Sequence, residues 1–149
     1  MNLSNNERVM KYAGLAYAVM FLGALAVFVF LPGVMFGMMN GLSRALFPAL
    51  PQASDSGKFW LSLTVSMMST ITVLSWLIYR DVKANYRMAI PLVLAKFSSS
   101  CAGLSFFMWG FICPDTGWNT LANLLILITD FPLGLFMLVL FLRVRREIG

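Results

Sequence analysis

Residues 88–111 read MAIPLVLAKFSSSCAGLSFFMWGF, and residues 118–142 read WNTLANLLILITDFPLGLFMLVLFL. Each run holds a single charged residue, Lys96 in the first and Asp130 in the second. At 1.5 Å per residue, either run as a helix exceeds the roughly 30 Å of hydrocarbon in a bilayer. Two earlier runs, at about 11–39 and 58–79, have the same apolar character. The remainder of the 149 residues agrees, with 60% hydrophobic residues, 11% charged and a mean hydropathy of +0.82. A soluble domain carries roughly a quarter charged residues. The expected fold is therefore all-α, an integral membrane four-helix bundle forming one transmembrane domain over 1–149.

The net charge of +5 is distributed as a topology signal rather than as a nucleic-acid footprint. Arg8 and Lys11 precede the first span, Arg80, Lys83 and Arg87 separate the second from the third, and Arg143, Arg145 and Arg146 follow the fourth. The loops on the other side hold only Arg44 and Lys58. By the positive-inside rule both termini are expected in the cytoplasm, with membrane lipids and no nucleic acid as partners. Aromatic residues repeat the pattern. Tyr12, Trp76, Tyr79 and Tyr86 fall near the inner interface, and Trp60, Trp109 and Trp118 near the outer one. Their amphipathic rings favour headgroup depth.

The first span is about twice the length of a signal-peptide core and has no A-x-A site close behind it, so it reads as a retained helix. Pro32 is expected to kink it, because the ring removes a backbone hydrogen bond. In the loop from Asn40 to Gly57, Leu42, Ala45, Leu46 and Leu50 recur at near-helical spacing beside Ser43 and Arg44. That suits a short interfacial helix broken by Pro48 and Pro51. The second span carries Ser62, Ser66 and Ser69 on one stripe, with Thr64, Thr70 and Thr72 elsewhere, all able to hydrogen-bond back to their own backbone. A short charged connection makes the second and third spans expected antiparallel neighbours, and Cys113-Pro114-Asp115-Thr116-Gly117 reads as a tight turn. Cys101 and Cys113 are about 18 Å apart along one helix, too far for a disulfide; Cys101 reads as a small packing residue.

The two intramembrane charges are the candidate site. Counting from the cytoplasmic side, Lys96 lies about 12 Å deep and Asp130 about 18 Å, a difference that a lysine side chain can span. Lys96, Ser99, Ser100 and Gly103 share one helical face, and Asn119, Asn123, Ile126, Asp130 and Gly134 form a comparable stripe. Pro132 weakens backbone bonding beside Asp130. Two readings stay open. Lys96, Asp130, Ser99, Ser100 and Asn123 form a polar pocket for a headgroup, quinone or proton, or the charges are a structural ion pair that fixes helix register while Lys96 snorkels.

Other chemistry is limited by inventory. The chain has no histidine, which removes His-ligated haem, His-based zinc and Ser-His-Asp catalysis. Met35, Met38 and Met39, with Met67, Met68 and Met108, are soft ligands that also serve as ordinary helix filler, so no metal or cofactor is expected. Asp81, beside Arg80 and Lys83, reads as a solvated loop charge.

The order of features from Lys58 to Arg143 resembles small bacterial four-helix membrane proteins of the DoxX-like kind. The segments that carry it are Phe59-Trp60 through Ser66-Met67-Met68, Tyr79-Arg80-Asp81, Pro91-Leu92-Val93-Leu94-Ala95-Lys96 and Thr129-Asp130-Phe131-Pro132. The resemblance implies a bacterial cytoplasmic (inner) membrane location and quinone or thiol redox partners, and it transfers no catalytic residue. The expected function is a non-catalytic accessory or interaction subunit, in contact with other membrane proteins or with copies of itself. The alternative is a binder or carrier of a lipid- or quinone-like ligand at Lys96 and Asp130.

Overall fold

The computed structural model describes residues 3–53 and 58–148, with side chains described at 3–53 and 62–148. Six α-helices form among the described residues: α1 (Asn5–Phe30), α2 (Pro32–Leu46), α3 (Lys58–Arg80), α4 (Val82–Asn85), α5 (Ala89–Ile112) and α6 (Leu121–Ile148). Among the described residues there is no strand. Four helices among the described residues are long and apolar enough to cross a membrane, matching the four expected spans. The side chain of Trp60, expected above in the outer aromatic belt, and residues 54–57, expected in the first outer loop, lie outside the described set.

The first span differs most from expectation. It begins at Asn5 rather than near 11, because Ser4 and Glu7 form a capping box. Ser4 Oγ accepts from the Glu7 amide at 3.1 Å, while Glu7 Oε2 accepts from the Ser4 amide at 2.8 Å. It also ends at Phe30 instead of kinking through Pro32. Leu31 leaves helical geometry at φ −137° and ψ 49°, and Pro32 then opens α2 at a first-turn position where its missing N–H costs nothing. Of the residues expected in a short interfacial helix, Leu42, Ala45 and Leu46 lie in the last turns of α2, and Leu50 lies beyond it. The chain beyond it is tied back by Asn40, whose amide donates to the Ala53 carbonyl and accepts from the Ala53 N–H, both at 2.9 Å.

Elsewhere the local chemistry is as read. Ser69, Thr70 and Thr72 each donate to the carbonyl four residues earlier. The turn after α5 closes through Pro114–Thr116, and Gly117 takes the left-handed conformation, φ 60°, that favours glycine. Asp81 is more than a solvated charge. Its carboxylate caps α4 by accepting from the Lys83 and Ala84 amides. Cys101 is exposed, not packed, because it lies off the α5 face defined by Lys96, Ser100, Gly103 and Gly110.

Packing departs from the expected neighbours. The large interfaces are α1 with α3 and α5 with α6, whereas α3 and α5 touch little. Glycine governs both. A Cβ on Gly14 would stand 2.9 Å from the Ser75 carbonyl oxygen, and one on Gly103 would stand 2.7 Å from that of Asn123. Small residues thus let paired backbones approach closely, as membrane helices require when lipid tails offer no hydrophobic contrast. The buried apolar core draws on the first two thirds of α1 (Met10, Tyr17, Phe21), the later part of α3 (Ile71, Ile78), the start of α5 (Leu92, Val93) and the later part of α6 (Met137, Leu140, Val144). Because the helices alternate in direction, all of these lie towards one end of the bundle.

That end is also fastened by polar contacts. Glu7, 4% exposed, meets Lys83 Nζ at 3.6 Å. Ser4 Oγ and Asn6 Nδ2 donate to the Glu147 carboxylate, joining the start of α1 to the end of α6.

Candidate functional site: the Lys96–Asp130 pair

Lys96 and Asp130 meet because α5 and α6 run close together. Gly134 sits against the base of Lys96, where an added Cβ would lie 3.0 Å from the Lys96 Cβ. From there the lysine side chain reaches Asp130, and Nζ donates to Oδ1 at 2.7 Å. Ser99 Oγ donates to the other carboxylate oxygen, Oδ2. Both oxygens of the aspartate therefore have a partner on α5.

The ammonium has a further neighbour on α1. Nζ lies 3.9 Å from the centroid of the Phe21 ring, a cation–π contact. Such contacts gain strength where the cation has lost water, reaching about 2 kcal/mol. Tyr17, one turn earlier, packs beside Phe21 at 5.9 Å between ring centroids. Its hydroxyl donates to the Leu133 carbonyl at 2.6 Å. Leu133 immediately follows Pro132, and α6 continues through that proline without a break. Three helices thus converge on the pair.

Of the sequence-derived site residues, the structure brings together Lys96, Asp130 and Ser99. Ser100 is buried beside them, but its hydroxyl donates to the Lys96 carbonyl at 2.7 Å and does not reach the carboxylate. Asn123 stands apart: its amide donates to the Trp118 carbonyl at 2.7 Å. Two helical turns separate it from Asp130, about 10 Å. It belongs to the close crossing at Gly103 rather than to the charge pair.

Phe21 and Tyr17 are the site residues the sequence reading missed. Their signal is the spacing of Glu7, Met10, Gly14, Tyr17 and Phe21, alternating steps of three and four that mark one buried face of α1.

The chemistry follows from burial. Lys96 is 2% exposed and the Asp130 side chain 15%. An isolated charge at this depth costs several kcal/mol, and opposite charges with satisfied hydrogen bonds offset that cost. The arrangement is a filled polar junction joining α1, α5 and α6. Among the described residues, no three of the metal-binding types His, Cys, Asp and Glu lie close enough to share an ion. Comparisons with known proteins find no matching family model, no matching curated protein and no matching solved structure.

Proposed function

We propose that this chain is a non-catalytic accessory or interaction subunit of a membrane complex, in which the Lys96–Asp130 pair holds the helices in register. The single observation that carries this reading is that the pair is closed. Asp130, Ser99 and the Phe21 ring occupy the ammonium and carboxylate, and Gly134 packs against the lysine stem. A carrier would keep polar groups open to its cargo, whereas a register lock uses them internally. Apolar faces of α1, α2, α5 and α6 remain free for lipid or for neighbouring helices, among them Val29, Phe30, Met38, Phe111 and Ile112.

The basic bias of the loops supports a cytoplasmic placement of both termini, and the DoxX-like resemblance supports a bacterial inner membrane. On this topology α2 stands at the outer side. At 15 residues, about 22 Å, it is too short to cross the bilayer alone. Its apolar residues and its arginine near the end suit a shallow interfacial position.

A second reading has one observation in its favour. Asp130 keeps some exposure beside Pro132, whose missing N–H leaves a backbone carbonyl without its helical donor. A lipid headgroup with a hydrogen-bond donor, or a quinone in its reduced, hydroxyl-bearing form, would find acceptors there, and the resemblance favours the quinone class.

Native mass spectrometry after extraction in mild detergent separates the readings. Retained protein subunits are expected. A bare chain carrying one stoichiometric small-molecule adduct, lost in Asp130→Leu with Lys96→Met, would transfer the function to the pair.

A further inference from the structure

At the end of the bundle that carries the termini, a cleft of about 450 Å³ opens between the turn preceding α5 and the end of α6. Tyr86, Arg87, Leu142, Arg145 and Arg146 line it. The turn is held on α6 by Tyr86, whose ring stacks on Phe141 at 6.0 Å between centroids. Tyr86 also orients Arg87, which donates from Nε to the tyrosine oxygen at 3.3 Å. Three arginines from two separate segments thus line one opening.

The acidic side chains at this end are committed elsewhere. Glu7 pairs with Lys83, Asp81 caps α4, and Glu147 accepts from Ser4 and Asn6. Among the described residues, neither salt bridge involves Arg87, Arg145 or Arg146. Leu142 closes the sequence's last apolar run and forms the cleft's apolar wall, so the cleft lies where the hydrocarbon gives way to charge.

We propose that this cleft binds the phosphate of one anionic phospholipid, with its acyl chains leaving along Leu142 and the lipid-facing side of α6. Guanidinium groups match phosphate oxygens in geometry as well as charge, and basic clefts beside membrane helices recognise anionic headgroups. The inference requires only that the chain sits in a bilayer, and it stands whether or not the protein is a subunit of a larger complex.

The test uses the full chain in mild detergent, titrated with phosphatidylglycerol, phosphatidylcholine or inorganic phosphate and read by native mass spectrometry and melting temperature. One equivalent of phosphatidylglycerol is expected to bind and raise the melting temperature. In Arg87→Gln/Arg145→Gln/Arg146→Gln its affinity should fall roughly 100-fold, at about fivefold for each basic group near the surface. Arg8→Gln/Arg80→Gln, which removes two charges outside the cleft, should keep wild-type binding. If the triple variant does not fold, each single exchange should still weaken binding about fivefold. Equal binding of both lipids, equal loss in the control variant, or single exchanges without effect would overturn the proposal. Saturation by inorganic phosphate with no preference for the lipid would assign the cleft to a free anion and overturn the lipid as its source.

Discussion

Removing one member of the Lys96–Asp130 pair should damage the protein far more than removing both. Asp130→Leu leaves the Lys96 ammonium 2% exposed, with the Phe21 ring, 3.9 Å from Nζ, as its neighbour. Discharging an ordinary lysine at pH 7 costs about 4.6 kcal/mol, at 1.36 kcal/mol per pH unit. The corresponding cost of protonating an ordinary aspartate is about 4.2 kcal/mol. These figures are ceilings, because the lysine can retreat towards the start of α5, about 10 Å away, and the aspartate keeps Ser99 as a partner. The expected losses are about 3–4 kcal/mol for Asp130→Leu and about 2–3 kcal/mol for Lys96→Met. The double variant replaces both charges with apolar groups, the partly exposed edge of Asp130 leaving room for the larger leucine, and should lie within about 1 kcal/mol of wild type. With the double variant at wild-type stability, the cycle thus predicts a coupling energy of about 5–7 kcal/mol. Reversible unfolding in mixed micelles, followed by tryptophan fluorescence, measures all four corners. Single variants within about 1 kcal/mol of wild type, or a double variant as damaged as the sum of the singles, would refute a buried, mutually compensating pair.

Three other outcomes follow from the geometry. In Gly110→Ala the new Cβ would start 2.2 Å from the Asn119 backbone nitrogen, whereas at Gly23 nothing lies within 4 Å. Melting curves should show a loss of about 1–3 kcal/mol for the first and no loss for the second. Ser4→Ala removes the N-cap of α1 and one donor to Glu147, and should cost about 1 kcal/mol in the same assay. For orientation, Cys113 should react with an impermeant thiol reagent added outside sealed cells. A cysteine replacing Arg80 in a Cys101→Ala/Cys113→Ala background should react only after permeabilisation; the reverse pattern would invert the proposed topology.

The four spans were legible because about 20 consecutive apolar residues have few other uses, and the middle of each survives any error at its ends. The ends were less legible. Hydropathy stops at charges, but backbone hydrogen bonds do not, so α6 runs on through Arg143, Arg145 and Arg146 to Ile148. Hydropathy places the start of α1 near 11 and misses the Ser4–Glu7 capping signal that sets it at Asn5. For the site, helical periodicity placed Lys96 and Asp130 at compatible depths and put Ser99 beside them. It could not separate Ser99 from Ser100, whose hydroxyl turned back to its own helix. Nor could it place Phe21, because which helices pair is decided by close contacts such as Gly14 against Ser75. Connection length suggested that α3 and α5 were neighbours, and the glycine contacts favoured α1 with α3 and α5 with α6.

The gathering of the core at one end of the bundle has a consequence for how the protein breathes. Amide exchange slows where opening a helix must also dismantle a packed interior. Protection should therefore be greatest through Met10–Phe21, Ile71–Ile78, Ala89–Val93 and Met137–Val144. It should be weaker in α2, which is set off from α1 at Leu31 and contributes only Ser43 to the buried set. Heating or mild denaturant would then loosen the far ends of the helices while the packed end still held, giving an opened form that remains anchored at its base.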